Sequence, residues 1–432
     1  MIARVSLWGS QIGAASWDAR NGRANFQYTP DFAQSGFEVS PLVMPLSRRV
    51  YSFAALPRVT FHGLPGLLAD SLPDRFGNAL IDSWLAAQGR SADEFDPLQR
   101  LCYTGARGMG ALEFAPATGP RPTASARLDV AALVAVASEV LAQRRGMRGS
   151  LSPSARGHAM RDILRVGTSA GGARAKAVVA WNPATDEVRS GQMPADAGFE
   201  YWLIKFDGVS GNRDRELADP RGYGAIEYAY HLMARAAGIE MCDCRLLEEG
   251  GRRHFMTRRF DRTSAGEKIH MQSLCGLAHL DYNAAGAHGY EQALLAARRL
   301  RLPIKDLEQL VLRMCFNIAA RNQDDHTKNI AFLMDRAGRW SLAPAFDVTY
   351  AYNPKGAWTS AHQMTVHGKR DDFTREDIRK AAEVAHLARG RVDSLLDAAL
   401  DAVAQWSTFA RDADVPPSTI RRIDTTLRKD LD

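Results

Sequence analysis

No stretch of this chain approaches the roughly 20 consecutive apolar residues that a membrane-crossing helix requires. The opening MIARVSLWGSQIG has no long apolar core, so no secretory leader is expected. Cysteines are few: five, an odd number, and scattered rather than framed. The closest pair, Cys242 and Cys244, has one residue between them, which suits neither a zinc knuckle nor a thioredoxin-type motif. A disulfide scaffold is therefore excluded, and a reducing cytoplasm is the expected setting. Internal repeats and low-complexity tracts are also lacking, which removes solenoids and collagen-like chains. A Walker A loop is missing too, because no glycine-rich run ends in Gly-Lys-Ser/Thr.

What remains is the composition of an ordinary globular protein, with 46% hydrophobic and 24% charged residues over 432 positions. That length supports two or three packed layers around more than one core. Net charge is +6, with basic residues thickening at Arg144, Arg145 and Arg148 and again at Arg252, Arg253, Arg258 and Arg259. Such an excess favours acidic partners, nucleotides and nucleic acid among them, although most such clusters are solvated faces.

The fold class expected is α+β, with a mixed N-terminal lobe and a mostly helical C-terminal lobe. Residues 1–116 read as a small α/β unit. VSLWGSQIGAASWD and GRANFQYTP form a meander of short strands with Gly and Asn-Gly turns. A helix follows, opened by Asp74 and closed by Gly89. The Pro-, Ser- and Thr-rich stretch 117–129 is the linker candidate. A second region, 130–262, begins with the helix DVAALVAVASEVLAQRR and then carries strand-like pieces: ILRVGTSAGGARAKAVVAWNP, EYWLIKFD and RRHFMTRRFDR. Residues 263–432 read almost wholly helical, except for a hairpin whose turn is Asp335-Arg336-Ala337-Gly338.

The strongest local signal is the run from Arg321 to Asn329, Arg-Asn-Gln-Asp-Asp-His-Thr-Lys-Asn, between an apolar-periodic helix and a strand. Asp324 and Asn329 are five positions apart, the spacing of the Asp and Asn in a kinase catalytic loop. The chemistry requires it: a carboxylate accepts the hydroxyl proton while an amide oxygen one short loop away holds Mg²⁺ on the phosphates. Eighteen positions beyond Asn329, at the expected end of the hairpin's second strand, comes Asp347. Mg²⁺ prefers few hard oxygen ligands plus phosphate oxygens and water, which Asn329 and Asp347 supply.

Two further elements precede that loop. The run Val166 to Lys176 is glycine-rich and lies between strand-like pieces. Its small residues, Ser169, Ala170, Gly171, Gly172 and Ala173, let a backbone approach phosphate, and successive N–H groups form an anion nest. Lys205 sits in the apolar strand Tyr201–Phe206, and Glu227 stands on a helix about twenty residues later. Kinases pair such residues so that the ammonium faces the nucleotide phosphates. Each piece alone is commonplace: a turn, a snorkelling lysine, a strand-end aspartate. Five of them in kinase order are hard to assign to chance.

At these residues the chain resembles the HipA family of serine/threonine kinase toxins, over nearly its whole length. LPGLLADSLPDRFGN and TGARGMGALEF are similar to the N-terminal subdomain of that family. SAGGARAKA, MTRRFDR, MQSLCGL, DDHTKN and PAFDV are similar to its loop, hinge, helix entry, catalytic and metal segments. The resemblance implies a divergent protein-kinase-like fold, ATP and Mg²⁺ as cofactors and Asp324 as the catalytic base, with Asn329 and Asp347 as metal ligands. It implies a phosphate-covering loop from Ala170 through Arg174 to Lys176, with Lys205 on phosphate. Thr257, Arg258 and Phe260 would line the adenine hinge, and His326 and Lys328 join the nucleotide-binding set.

Ser169 matches the family's autophosphorylated serine. The implied partners are a HipB-like helix-turn-helix antitoxin, through which alone DNA is contacted, and a protein substrate in translation such as an aminoacyl-tRNA synthetase. The sequence departs from the pattern at Arg258, usually acidic, and at Gly172-Ala173-Arg174-Ala175-Lys176. It also lacks the His-Arg-Asp and Asp-Phe-Gly of ordinary protein kinases. Two alternatives stay open: a kinase-fold phosphotransferase acting on a small molecule or lipid head group, and a catalytically silent scaffold in an antitoxin–DNA complex.

Overall fold

A computed structural model describes the chain except for residues 121–126, 144–152, 168–173, 193–194, 210–212, 215–216 and 219–221. Two compact units emerge, the first from residues 1–38, 46–224 and 245–271, the second from residues 39–45, 225–244 and 272–432.

The first unit opens with β1 (Ile2–Leu7), β2 (Ser10–Asp18) and β3 (Arg23–Tyr28), joined by tight turns. Trp8 and Gly9 both have positive φ, the hairpin geometry that matches strand twist. With β4 (Leu112–Ala115) these strands make a sheet in the order β3-β2-β1-β4. Short helices α1 (Arg58–Phe61) and α2 (Gly66–Ala69) lead into α3 (Arg75–Ala86). The Asp74 carboxylate caps α3 by accepting the Gly77 N–H at 2.6 Å, as the sequence predicts. The next helix, α4 (Pro97–Thr104), carries a full capping box between Asp96 and Gln99.

Further along come α5 (Val130–Gln143) and α6 (Pro153–Val166). The second of these corrects the sequence reading, which made ILRV the first strand of a glycine hairpin. Ile163 and Val166 instead lie on one face of α6 and join the same core as Leu133, Ala137, Trp202 and Met256. A short apolar run of this length is ambiguous, and here the helical partner surface of α5 decides it. The sheet below consists of β5 (Lys176–Asn182), β6 (Glu187–Ser190), β7 (Glu200–Lys205), β10 (Cys244–Glu249) and β11 (Arg252–Arg258), in the order β10-β11-β7-β5-β6. A two-residue ladder, β8 (Arg213–Asp214) with β9 (Leu217–Ala218), lies apart from it.

Past β11 the chain is held by a buried carboxylate. Asp261 takes two bonds from Arg259 (2.8 and 2.7 Å), one from Arg262 (2.7 Å) and one from the Gly110 N–H (2.7 Å). Burial alone would push its carboxyl up, but the two guanidiniums outweigh that and hold it far below the usual carboxylate range.

Besides residues 39–45, the second unit takes in most of α7 (Tyr223–Ala236), and the chain enters it again through β12 (His270–Ser273) and α8 (Leu274–Ala278). Then come α9 (Tyr290–Arg299), α10 (Ile304–Ala319), the hairpin β13 (Ala331–Met334) and β14 (Trp340–Leu342), and α11 (Arg375–Ala382), α12 (Arg389–Ala404), α13 (Trp406–Asp412) and α14 (Pro417–Asp424). Helix α10 buries Leu307, Leu310, Val311 and Met314, and α12 buries Leu395, Leu396 and Val403. Each such side chain contributes about 1.5–3 kcal/mol by leaving water. Trp406 closes the core: its ring meets Tyr230 edge-on at 5.3 Å and its Nε1–H donates to the Ile420 carbonyl at 3.1 Å.

No helix among the described residues is long and apolar enough to cross a membrane. Replacing Asp261 by Ala strands two buried guanidiniums, so urea denaturation should show a loss of about 3–5 kcal/mol. A loss below about 1 kcal/mol, the range of a surface pair, would mean that this cluster does not hold the segment.

Candidate catalytic loop and metal residues

Helix α10 stops at Ala319, and Arg321 takes a left-handed φ of 54° that turns the chain into the Asn322–Asn329 loop. Along residues 323 to 327 burial alternates, with Gln323, Asp325 and Thr327 inside and Asp324 and His326 partly exposed. Two adjacent carboxylates thus face opposite ways, as alternation in extended backbone requires.

Asp325 is the inward one. It accepts hydrogen bonds from the Tyr290 hydroxyl (2.8 Å) and the Gln363 N–H (2.8 Å), and pairs with His362 Nδ1 (2.9 Å). The Asn317 amide donates to the same Tyr290 oxygen at 2.9 Å and accepts from the Asn322 amide at 2.9 Å. Burial alone would raise the Asp325 carboxyl, but attraction to His362 and these hydrogen bonds hold it below the usual carboxylate range. Burial and the Asp325 charge push the Tyr290 phenol well above its ordinary value, so it remains a donor.

Asp324 faces outward, and its Oδ1 accepts the Trp358 indole N–H at 2.6 Å. Asn329 donates its side-chain N–H to the Asp324 backbone carbonyl at 2.9 Å, which fixes the amide with its oxygen directed away from that bond. Asn329 and Asp347 line one narrow cleft with Ile239, Leu310 and Arg313. Burial lowers the Arg313 guanidinium to about 10, against the opposing charges of Glu240 and Asp306. Asp347 lies five residues past β14 rather than at its end, at a left-handed φ of 52°. His326 and Lys328 both flank the Tyr282 ring, at 5.2 and 5.3 Å.

The donor set suits Mg²⁺: one amide oxygen and one carboxylate, with phosphate oxygens and water to complete six hard ligands. Among the described residues no three His, Cys, Asp or Glu side chains gather at metal-binding spacing, so a zinc-type cage is not offered.

The remaining candidates in the first unit fall on its sheet. Lys176 and Lys205 are directly opposed on antiparallel β5 and β7, so their side chains share one face, and both are buried. Like charges so placed repel, and Lys176 Nζ lies 3.7 Å from the carboxylate oxygen Asp74 Oδ2. The Arg174 guanidinium stacks on the Tyr223 ring at 3.6 Å. Thr257 and Arg258 end β11 opposite Leu203 and Trp202, with Arg258 3.7 Å from Glu200, and Phe260 follows. In the second unit, Glu227 is a buried residue of α7. Ser169, Ala170, Gly171, Gly172 and Ala173 lie outside the described residues.

Against this geometry, the profile of the family described as HipA N-terminal domain matches residues 3–115. That of the HipA-like C-terminal domain matches residues 168–407, more than half of the chain. The chain belongs to the HipA family.

Among solved structures, this HipA-family chain is similar to a chain of the Shewanella oneidensis MR-1 complex of HipA, HipB and operator DNA. The TM-score is 0.66 at 18% identity, over 98% of this chain and 95% of that one. The likeness establishes the kinase-like α+β fold. A Helicobacter pylori proinflammatory kinase, CtkA, aligns over 52% of this chain and 90% of its own at 13% identity, with a TM-score of 0.31. A curated relative, "Putative kinase Y4mE" of Sinorhizobium fredii (strain NBRC 101917 / NGR234), is 26% identical over 47% of this chain. The chain spans about half (54%) of that relative's length.

The sequence reading paired Asp324 with Asn329 and missed Asp325, Tyr290, Trp358, His362 and Gln363. One signal was present: two adjacent acids cannot both face one site, so one needed a buried partner.

Asp325→Ala should cost about 3–5 kcal/mol at neutral pH, because it leaves its donors buried without an acceptor. The folded carboxyl lies below its ordinary 3.8, so the unfolded chain takes up the proton first as pH falls. The contribution is complete above 3.8 and is lost as pH drops through the folded value. Urea curves should therefore show the gap between the wild type and this variant closing on acidification; a constant gap would contradict the assignment.

Proposed function

We propose that this chain is a Mg-ATP-dependent serine/threonine protein kinase and the toxin of a toxin–antitoxin pair. The observation that carries the reading is the Asn329 amide bonded to the Asp324 backbone, in a loop whose amide oxygen shares a cleft with Asp347. That links a base and a metal ligand through one hydrogen bond, the coupling that phosphoryl transfer needs.

In this reading Asp324 orients a Ser or Thr hydroxyl of the acceptor protein and takes its proton. Asn329 and Asp347 would hold Mg²⁺, which when bound neutralises charge on the nucleotide phosphates. Lys205 and Lys176 supply positive charge from one sheet face, and Glu227 is assigned to the nucleotide-binding set. Arg174 and the glycine-rich residues before it cover the phosphates, while Thr257, Arg258 and Phe260 line the adenine side. His326 and Lys328 complete the nucleotide set. The acceptor is a translation protein, an aminoacyl-tRNA synthetase being the class implied by the family. A HipB-like antitoxin is the partner, and DNA is met only through it. The expected compartment is the cytoplasm.

Asp324→Asn should retain Mg-ATP binding by calorimetry yet lose at least about 100-fold in transfer, the range for removal of a general base. Transfer at the wild-type rate would take the base role from Asp324.

Ser169 is proposed as the site of self-modification, since a dianionic phosphate there competes with those of the nucleotide. Phosphopeptide mapping after incubation with Mg-ATP should find the label on Ser169, and label confined to another residue would sink that assignment.

A further inference from the structure

One six-residue segment, 358–363, grips three consecutive residues of the Asp324 loop. The Trp358 indole N–H donates to Asp324 Oδ1 at 2.6 Å. The Gln363 backbone N–H and His362 Nδ1 take the two oxygens of Asp325 at 2.8 and 2.9 Å. The Gln363 side-chain amide donates to the Gln323 carbonyl (3.1 Å) and, within its own segment, to the carbonyls of Trp358 (2.6 Å) and Ala361 (3.0 Å). Gln363 thus ties the stem of Trp358 to the loop that Trp358 serves.

We propose that Trp358 is a positioning residue for Asp324, anchoring the carboxylate through Oδ1 so that Oδ2 meets the acceptor hydroxyl. The proposal rests on the kinase reading above. Rotation of a carboxylate about its last torsion is soft, and a charge-assisted bond to one oxygen removes that freedom. His326 Nε2 approaches the same oxygen, at 3.9 Å, so both contacts converge on Oδ1. Indole nitrogen is a donor only, which bars Trp358 from accepting the proton or relaying it. As the hydroxyl oxygen bonds to the γ-phosphorus and ADP departs, the hydroxyl proton therefore passes to Oδ2.

Trp358→Phe keeps an aromatic ring and deletes the N–H. It should lower kcat by about 10- to 100-fold, the cost of a misplaced reacting group. The KM for Mg-ATP should hold within about twofold, because the change does not touch ground-state nucleotide binding. In an Asp324→Asn background the same change should cause no further loss, since coupled residues are non-additive. Lost packing alone would lower both backgrounds equally.

A second readout needs no turnover. In protein carrying ¹⁵N-indole tryptophan, the Trp358 N–H resonance should shift and exchange faster in Asp324→Ala. If Trp358→Phe does not fold, Trp358→Leu, which likewise lacks an N–H donor, is subjected to the same rate criteria. Unchanged kcat in an active chain, or a resonance indifferent to Asp324→Ala, overturns the positioning role and leaves the kinase reading standing. A wild type that binds Mg-ATP but phosphorylates no protein acceptor overturns the kinase reading, and the role of Trp358 with it.

Discussion

A single buried carboxylate, Asp325, sets the geometry on which the candidate site depends. It carries a charge inside the second unit, and such a charge persists only with its oxygens fully engaged. Tyr290, His362 and the Gln363 N–H engage them, so the backbone at residue 325 has one admissible position. Asp324 is its covalent neighbour and inherits that position, facing the other way. Asn329 then bonds the Asp324 carbonyl. Removing the inward acid would release the outward one.

The first unit solves a related electrostatic problem on its sheet. Lys176 and Lys205 stand directly across a ladder, an arrangement of like charges that is unfavourable by itself. Asp74 places a carboxylate near Lys176, and the same carboxylate caps α3 through the Gly77 N–H. One side chain therefore joins a helix start in the N-terminal α/β region to the strand that follows the glycine-rich run. Its second oxygen lies near the Lys176 ammonium rather than on the helix backbone.

Short-range rules made much of this legible in the sequence. Asp74 as a cap, the Asn21-Gly22 turn and the Asp335–Gly338 hairpin are local features, and they appear where local chemistry places them. Asp324 and Asn329 were legible for the same reason, five positions apart in one loop. The piece ILRV was misread because four apolar residues fit a strand or a helix equally, and only the surface of α5 decides between them. Trp358, His362 and Gln363 were illegible because their partners lie 34 to 40 positions upstream. Asp347 was read at a strand end, whereas β14 stops at Leu342 and five further residues carry the chain into the cleft.

That distance has a physical reason. A polar loop eight residues long cannot fix its own side chains, since it has no apolar face to bury and few internal hydrogen bonds to make. Order has to come from outside, and the cost of closing a connection of this length rises only slowly with its size. The loop is accordingly held on one side by α9 and α10, through Tyr290 and Asn317, and on the other by residues 358–363. The helical side reaches Asp325 through Tyr290, and His362 and Gln363 complete its partners from the other. The other side is a stretch without regular secondary structure, anchored by the Gln363 amide, and it contributes the Trp358 side-chain hydrogen bond to the Asp324 carboxylate. A change at Trp358 therefore acts on the orientation of the Asp324 carboxylate, whereas a change at His362 also removes a partner of the buried Asp325 and so acts on the fold.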